Sequence, residues 1–117
     1  MSKNHAKDCS ASQERDIARM LGGSVQSNSG GTRFGGGDVH TSSFFIEAKT
    51  PTKEQTSFSV KKEWIDKMKE QAFEQGKHQS ALAFRFSPDG DDYFVINSRL
   101  MKELVDYLEE DNRKGSI

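Results

Sequence analysis

The tightest constraint on this chain is the stretch Gly37-Asp38-Val39-His40-Thr41-Ser42-Ser43-Phe44-Phe45-Ile46-Glu47-Ala48-Lys49, which reads as two short strands folding back about Ser42 and Ser43. Any even-length loop centred on that serine pair sets Asp38 directly opposite Glu47 on one face of the sheet. Cross-strand partners have Cβ atoms roughly 4.5–5.5 Å apart, and like charges so placed destabilise the sheet unless something neutralises them. A divalent cation does so, since carboxylate oxygens are the ligands a hard cation takes. Side chains alternate along a strand, so Lys49 shares a face with Glu47 and Phe45, while Phe44, Ile46 and Ala48 point the other way. The amine therefore points to the place of the cation, an arrangement that suits a hard cation beside a phosphate.

The length of 117 residues fits one domain with a single core. Apolar residues make up 32% and include eight Phe, so the core is expected to be small and aromatic-rich around a few strands. No apolar run approaches the roughly 20 residues that span a bilayer, and the polar start of the chain has no apolar signal segment. A soluble, cytoplasmic protein is expected. The lone Cys9 cannot form an internal disulfide, which agrees with a reducing compartment, and together with His5 it is too little for a zinc site.

A net charge of −1 does not by itself point to nucleic acid, but its distribution is uneven. Of the 17 Lys and Arg, 13 lie before residue 89, against 10 of the 18 Asp and Glu, so acidity gathers toward the C-terminus. Neutralising Glu14, Asp38 and Glu47 with cations makes the first part more basic still, and Lys53, Lys61, Lys62, Lys67 and Lys69 crowd one stretch. These lysines form either a phosphate-contacting face or an ordinary solvated helix surface.

Along the chain, residues 1–11 read as a loose polar end. Ser12 caps a helix through Leu21, with Ile17, Met20 and Leu21 as its apolar stripe and Gly22-Gly23 as its stop. Glu14 falls on the side that packs inward, an expensive place for a charge without a partner; at a first turn it also fits a solvated residue facing the helix dipole. A strand from Ser24 to Asn28 precedes Ser29-Gly30-Gly31-Thr32-Arg33-Phe34-Gly35-Gly36-Gly37, whose five glycines in nine residues match neither a Walker A nor a dinucleotide fingerprint. This segment is a flexible hairpin loop, or a flap that brings Arg33 beside the site.

After Lys49, residues 50–57 read as an exposed loop, and Ser59 caps a helix to Gln75 with Val60, Trp64, Met68 and Ala72 at i, i+4 spacing. Ala81 to Phe86 and Tyr93 to Asn97 read as strands around an acidic turn that lacks the EF-hand ligand pattern and is taken as solvated. Ser98 opens a last helix with Leu100, Met101, Leu104, Val105 and Leu108 on its buried side, and residues 109–117 read as a flexible polar tail.

The order is thus helix, three strands, helix, two strands, helix. Glu14 in the first helix, Gly37-Asp38-Val39 on one strand and Ile46-Glu47-Ala48-Lys49 on the next resemble the PD-(D/E)XK nuclease core, with Gly37 where that core usually has proline. Within it, the segment Ser57-Phe58-Ser59-Val60-Lys61-Lys62-Glu63-Trp64, leading into a helix and a final strand pair, is similar to the small archaeal-type and phage Holliday-junction resolvases. The likeness covers about Ser12 to Ile96. It implies one nuclease domain of α/β class, a restriction-endonuclease-like core whose central mixed five-stranded sheet is flanked by helices.

The resemblance also implies that Asp38, Glu47 and the Ala48 carbonyl hold Mg2+ or Mn2+, with Glu14 completing the site directly, through water or through a second ion. Lys49 then orients the attacking water or stabilises charge on the phosphorane; apart from the resemblance, the basic stretch with Lys53, Lys61 and Lys62 and the glycine flap with Arg33 are expected to contact DNA. The implied activity is metal-dependent hydrolysis of phosphodiesters in branched DNA, in repair or recombination, leaving a 5′-phosphate and a 3′-hydroxyl. A homodimer is expected, because a two-fold protein meets a two-fold four-way junction. The alternatives are another DNA nuclease of the same superfamily and a non-catalytic DNA-binding module of the same fold. His40, on the face of Asp38, is an ordinary hairpin residue or a DNA contact.

Overall fold

The fold is built on the hairpin. In a computed structural model, which describes residues 3–26 and 38–115, β2 (Asp38–His40) and β3 (Phe44–Lys49) pair antiparallel around the two-residue loop Ser42-Ser43. The Thr41 hydroxyl fixes that loop by accepting the backbone N–H groups of Ser43 at 3.3 Å and Phe44 at 3.0 Å. Lys77 Nζ adds a bond to the Thr41 carbonyl at 2.7 Å. Asp38 is the register partner of Glu47, as the even loop requires.

One strand extends the sheet beyond β2 and two extend it beyond β3. β1 (Ser24–Gln26) pairs antiparallel with β2, β4 (Gln79–Phe84) runs parallel to β3, and β5 (Tyr93–Val95) closes the sheet antiparallel to β4. The chain is therefore α/β, with a mixed five-stranded sheet in the order β1-β2-β3-β4-β5. Helices α1 (Lys3–Leu21) and α2 (Lys62–Glu74) flank it, and α3 (Ser98–Gly115) follows β5. The parallel step from β3 to β4 needs a crossover, which α2 supplies.

Each face of the sheet has its own cluster. Ile17 and Ala18 of α1 pack on Val39, Ile46, Ala48, Ala81 and Ala83, whose small side chains let the helix come close. Met68 and Ala72 of α2 pack on Phe45 and Leu82 from the other side, with Trp64 and Ile65 at the rim. Full burial of side chains such as Phe45 and Leu82 stabilises the fold by about 1.5–3 kcal/mol each. Two glycines end helices at φ +70°, Gly22 after α1 and Gly76 after α2. Gly23 is required for a different reason: a Cβ there would collide with the His40 carbonyl, so only glycine lets the start of β1 approach β2.

Several sequence expectations are corrected. α1 begins at Lys3, so residues read as loose are helical, and its inward face carries Cys9, Ser10, Gln13 and Glu14 ahead of Ile17 and Ala18. Met20 and Leu21, expected in the apolar stripe, are exposed. α2 starts at Lys62, leaving Val60 outside it and exposed. α3 runs through Gly115, so most of the expected tail is helix, and of its five supposedly buried residues only Leu100 is buried. β4 begins two residues earlier than expected and ends at Phe84, and β5 ends at Val95.

Candidate active site

Asp38, at the start of β2, is 5% exposed and faces Glu47 across the hairpin. Burial of the Asp38 carboxyl raises its pKa from 3.8 to about 7; the charge of Glu47 and a hydrogen bond to its carboxyl add to the rise, as does the charge of Glu14, while Lys49 opposes it. Two facing carboxylates in a poorly hydrated place cannot both keep their charge cheaply, so Asp38 takes up a proton far more readily than a solvated aspartate does. This is the clash that the hairpin register implied.

Glu14, on α1, acts on Asp38 through its charge. It is 7% exposed and accepts a hydrogen bond from the Ser10 hydroxyl, one turn earlier, at 2.9 Å. Of the two sequence readings, the inward one holds. Lys49 Nζ lies 3.4 Å from Glu47 Oε1 and 4.5 Å from the centre of the Trp64 ring. The amine is thus held between a carboxylate and an aromatic face, on the side of the sheet that alternation assigned to it.

The expected DNA contacts divide. Lys61 Nζ sits 5.5 Å from the same Trp64 ring, which draws it to the rim of the site. Lys62 is exposed and engaged with Asp66 at 2.8 Å within α2, and Lys53 is exposed on the loop before that helix. Arg33 and the glycine-rich segment lie outside the described residues. His40 is half-buried, edge-on to Phe45 at 5.4 Å, and burial together with the charge of Lys77 lowers its pKa, so it is a neutral packing residue of the hairpin. His5 Nε2 lies 2.9 Å from the Thr52 carbonyl and 3.6 Å from Cys9 Sγ, a contact that joins α1 to the loop.

Two features were not found by sequence reasoning. The acidic turn is not fully solvated: Asp92 accepts two bonds from the buried Arg85 guanidinium, at 2.9 Å from Nε and 2.9 Å from Nη2. Arg85 also donates to Asp16 of α1 and to the Pro88 carbonyl. The hydrogen bonds to Asp92 lead in raising its pKa, against the cost of burial, so it stays charged. Gln13, fully buried, donates to Asp92 at 2.9 Å and accepts from the Thr50 hydroxyl. Its neighbours in sequence are Glu14 and, across that bond, Lys49, so the network fixes α1 against the end of β3. The signal was there: a charged residue inside Ala81-Leu82-Ala83-Phe84-Arg85-Phe86 needs a carboxylate, and three aspartates follow.

The second feature is an aromatic row at the same end of the sheet. Lys49, Phe84 and Tyr93 are register partners across β3, β4 and β5. Phe58 stacks on Phe84 at 4.6 Å and leans on Trp64 at 6.0 Å, which clamps the loop preceding α2 over this edge.

The fit to a divalent cation rests on the donor set. As the side chains stand, no three His, Cys, Asp or Glu among the described residues converge as a ready cage. Mg2+ does not require one, because it keeps several waters and takes only one or two carboxylates. The raised pKa of Asp38 marks a crowding of negative charge that such an ion would neutralise.

A pH dependence follows. Because the folded pKa of Asp38 is raised, its favourable contribution to stability is fully present below about pH 3.8 and is lost as pH rises through about 7. The melting temperature of metal-free protein should therefore fall between about pH 4 and pH 7, and Mg2+ at the higher pH should recover it. Asp38→Asn should flatten the pH slope and remove most of the Mg2+ effect in the same thermal scans; a slope unchanged in that variant would assign it to another group.

Among the described residues, no helix is long and apolar enough to cross a membrane. No family model, curated protein or solved structure matches this chain.

Proposed function

We propose that this chain is a metal-dependent DNA endonuclease that hydrolyses phosphodiesters in branched DNA, with the four-way junction as its substrate. The observation that carries the reading is the pairing of buried Asp38 with Glu47, with the Lys49 amine 3.4 Å from Glu47. Buried Glu14 supports it, since its charge acts on the same carboxyl. The PD-(D/E)XK resemblance joins these four residues into one machinery and supplies the junction as substrate.

In this reading Asp38, Glu47 and the Ala48 carbonyl would hold Mg2+ or Mn2+, with Glu14 beside them. When bound, the ion supplies a Lewis acid for the scissile phosphate and lowers the pKa of a bound water. Asp38, whose raised pKa reflects crowded negative charge, would be held ionised beside such an ion. Lys49 donates hydrogen bonds, orienting the attacking water or stabilising charge that builds on the phosphate oxygens. Its contacts to Glu47 and Trp64 hold it ready for that role. Lys61, drawn inward by Trp64, and Lys53 on the loop meet flanking phosphates, where each contact contributes affinity that falls with salt.

The deciding experiment incubates the protein with labelled four-way junction, linear duplex and single strand, with and without Mg2+. Paired nicks in the junction alone, with 5′-phosphate ends and only when Mg2+ is present, are expected. Equal cleavage of junction and duplex would leave a general nuclease, and no cleavage of any substrate would reject the enzymatic reading.

A further inference from the structure

Helix α3 leaves the body almost at once. Leu100 is buried, the Asn97 side chain accepts the Leu100 N–H at 2.8 Å, and Gln79 reaches Glu103 at 3.1 Å. From Met101 to Gly115 every residue is exposed. This exposed length is not polar all round. Met101, Leu104, Val105 and Leu108 recur at i, i+3, i+4 and i+7 and are 53%, 44%, 42% and 57% exposed, which makes one continuous apolar stripe. A helix that buries so little of itself is marginal in water, and most helical stability comes from packing such a face. At the root of the stripe lies an apolar groove of about 410 Å³, lined by Leu21, Phe44, Phe94 and Ile96 and sharing Leu104 with it. The apolar surface therefore continues from the helix onto the body.

We propose that α3 packs antiparallel against α3 of a second copy of this chain, with a two-fold axis passing between Leu104 and Val105. The charges flanking the stripe select both occupant and direction. Lys102 and Glu109 are seven residues apart and so lie on the same flank of the stripe, two helical turns from each other. An antiparallel two-fold pairing sets Lys102 of each copy across from Glu109 of the other, once on each side of the axis, while Met101 meets Leu108 and Leu104 meets Val105. Parallel pairing instead places Glu109 beside Asp111 of its mate, a like-charge contact, and aligns the two helix dipoles unfavourably. The Lys102–Asp106 pair within the helix, at 2.7 Å, is exposed and weak, and leaves Lys102 able to turn toward a second copy. The self-complementary patch is what a closed two-fold interface requires.

This inference gives the proposed nuclease its two-fold interface and rests on that reading only for the role of the dimer; the interface itself is tested without DNA or metal. Light scattering on the full chain should give twice the 13.1 kDa monomer mass. Leu104→Asp combined with Leu108→Asp should weaken the dimer by at least about a hundredfold, with the circular dichroism of the body retained. Lys102→Glu should weaken association, and adding Glu109→Lys should restore it. Single Met101→Cys and Leu108→Cys variants, mixed and mildly oxidised, should link to each other and not to themselves, with the parent protein and its buried Cys9 as control. A monomer at all concentrations, or self-linking of Met101→Cys alone, would overturn the proposal. Loss of junction cleavage with the dimer intact counts against the nuclease reading and not against the interface.

Discussion

Asp38→Asn and Glu47→Gln should each lower DNA cleavage on the order of a thousandfold, the equivalent of about 4 kcal/mol of transition-state stabilisation, without unfolding the protein. Each exchange keeps the shape of the side chain and removes a charge that the cation needs. In Asp38→Asn the metal-free protein should even melt higher at neutral pH, because the buried like-charge pair is gone. Loss of activity with gain of stability distinguishes a site residue from a structural one. Lys49→Ala should reduce turnover as severely while leaving junction binding nearly unchanged, since one amine is a small part of a multi-phosphate contact. Gel-shift and single-turnover cleavage on the same preparations make the comparison, and undiminished turnover in either carboxylate variant with Mg2+ present would rule the site out.

The parts of the fold that a strict period or a fixed register determines were legible before any coordinates. An even loop about Ser42 and Ser43 leaves one possible partner for Asp38, and alternation leaves one possible face for Lys49. The phase of Glu14 relative to Ile17 allowed an inward place, but a solvated place at a first turn fitted equally well, and only its burial decides between them. What periodicity cannot tell is who covers an apolar face. The stripe of α3 has the spacing of a core helix, yet its residues beyond Leu100 are exposed in the single chain, because the same pattern serves an interface as well as a core. Met20 and Leu21 fail for a related reason: α1 extends back to Lys3 and turns a face set by Gln13, Glu14, Ile17 and Ala18 to the sheet, which leaves Met20 in solvent and Leu21 on the wall of an open apolar groove. Polar side chains that are buried in pairs escape hydropathy altogether, and Gln13 with Asp92 is the case that matters most here.

Arg85→Met should be the most damaging single change to stability outside the apolar core. The guanidinium is 3% exposed and makes four hydrogen bonds, two to Asp92, one to Asp16 and one to the Pro88 carbonyl. Removing it leaves the Asp92 carboxylate, 8% exposed, with the Gln13 amide as the remaining bond seen here. Breaking one partner of a buried pair costs about 3–5 kcal/mol, mostly from the charge left behind, which in a domain of this size lowers the melting temperature by roughly 10–20 °C. Arg85→Lys should not rescue it, because an ammonium cannot meet the Asp92 carboxylate with two parallel bonds. Asp16→Asn should cost little, as that carboxylate is 48% exposed. Arg85→Met combined with Asp92→Leu should recover most of the loss, since no unpaired charge then stays inside. The bonds that join Asp92, Gln13 and Thr50 to this arginine also set α1 against the end of β3, so the double variant should fold well and still cleave poorly, Glu14 having lost its anchor. Thermal scans set beside cleavage rates test both halves: a fall of less than about 3 °C in Arg85→Met would show that the network stabilises nothing, and full activity in the refolded double variant would show that it positions nothing.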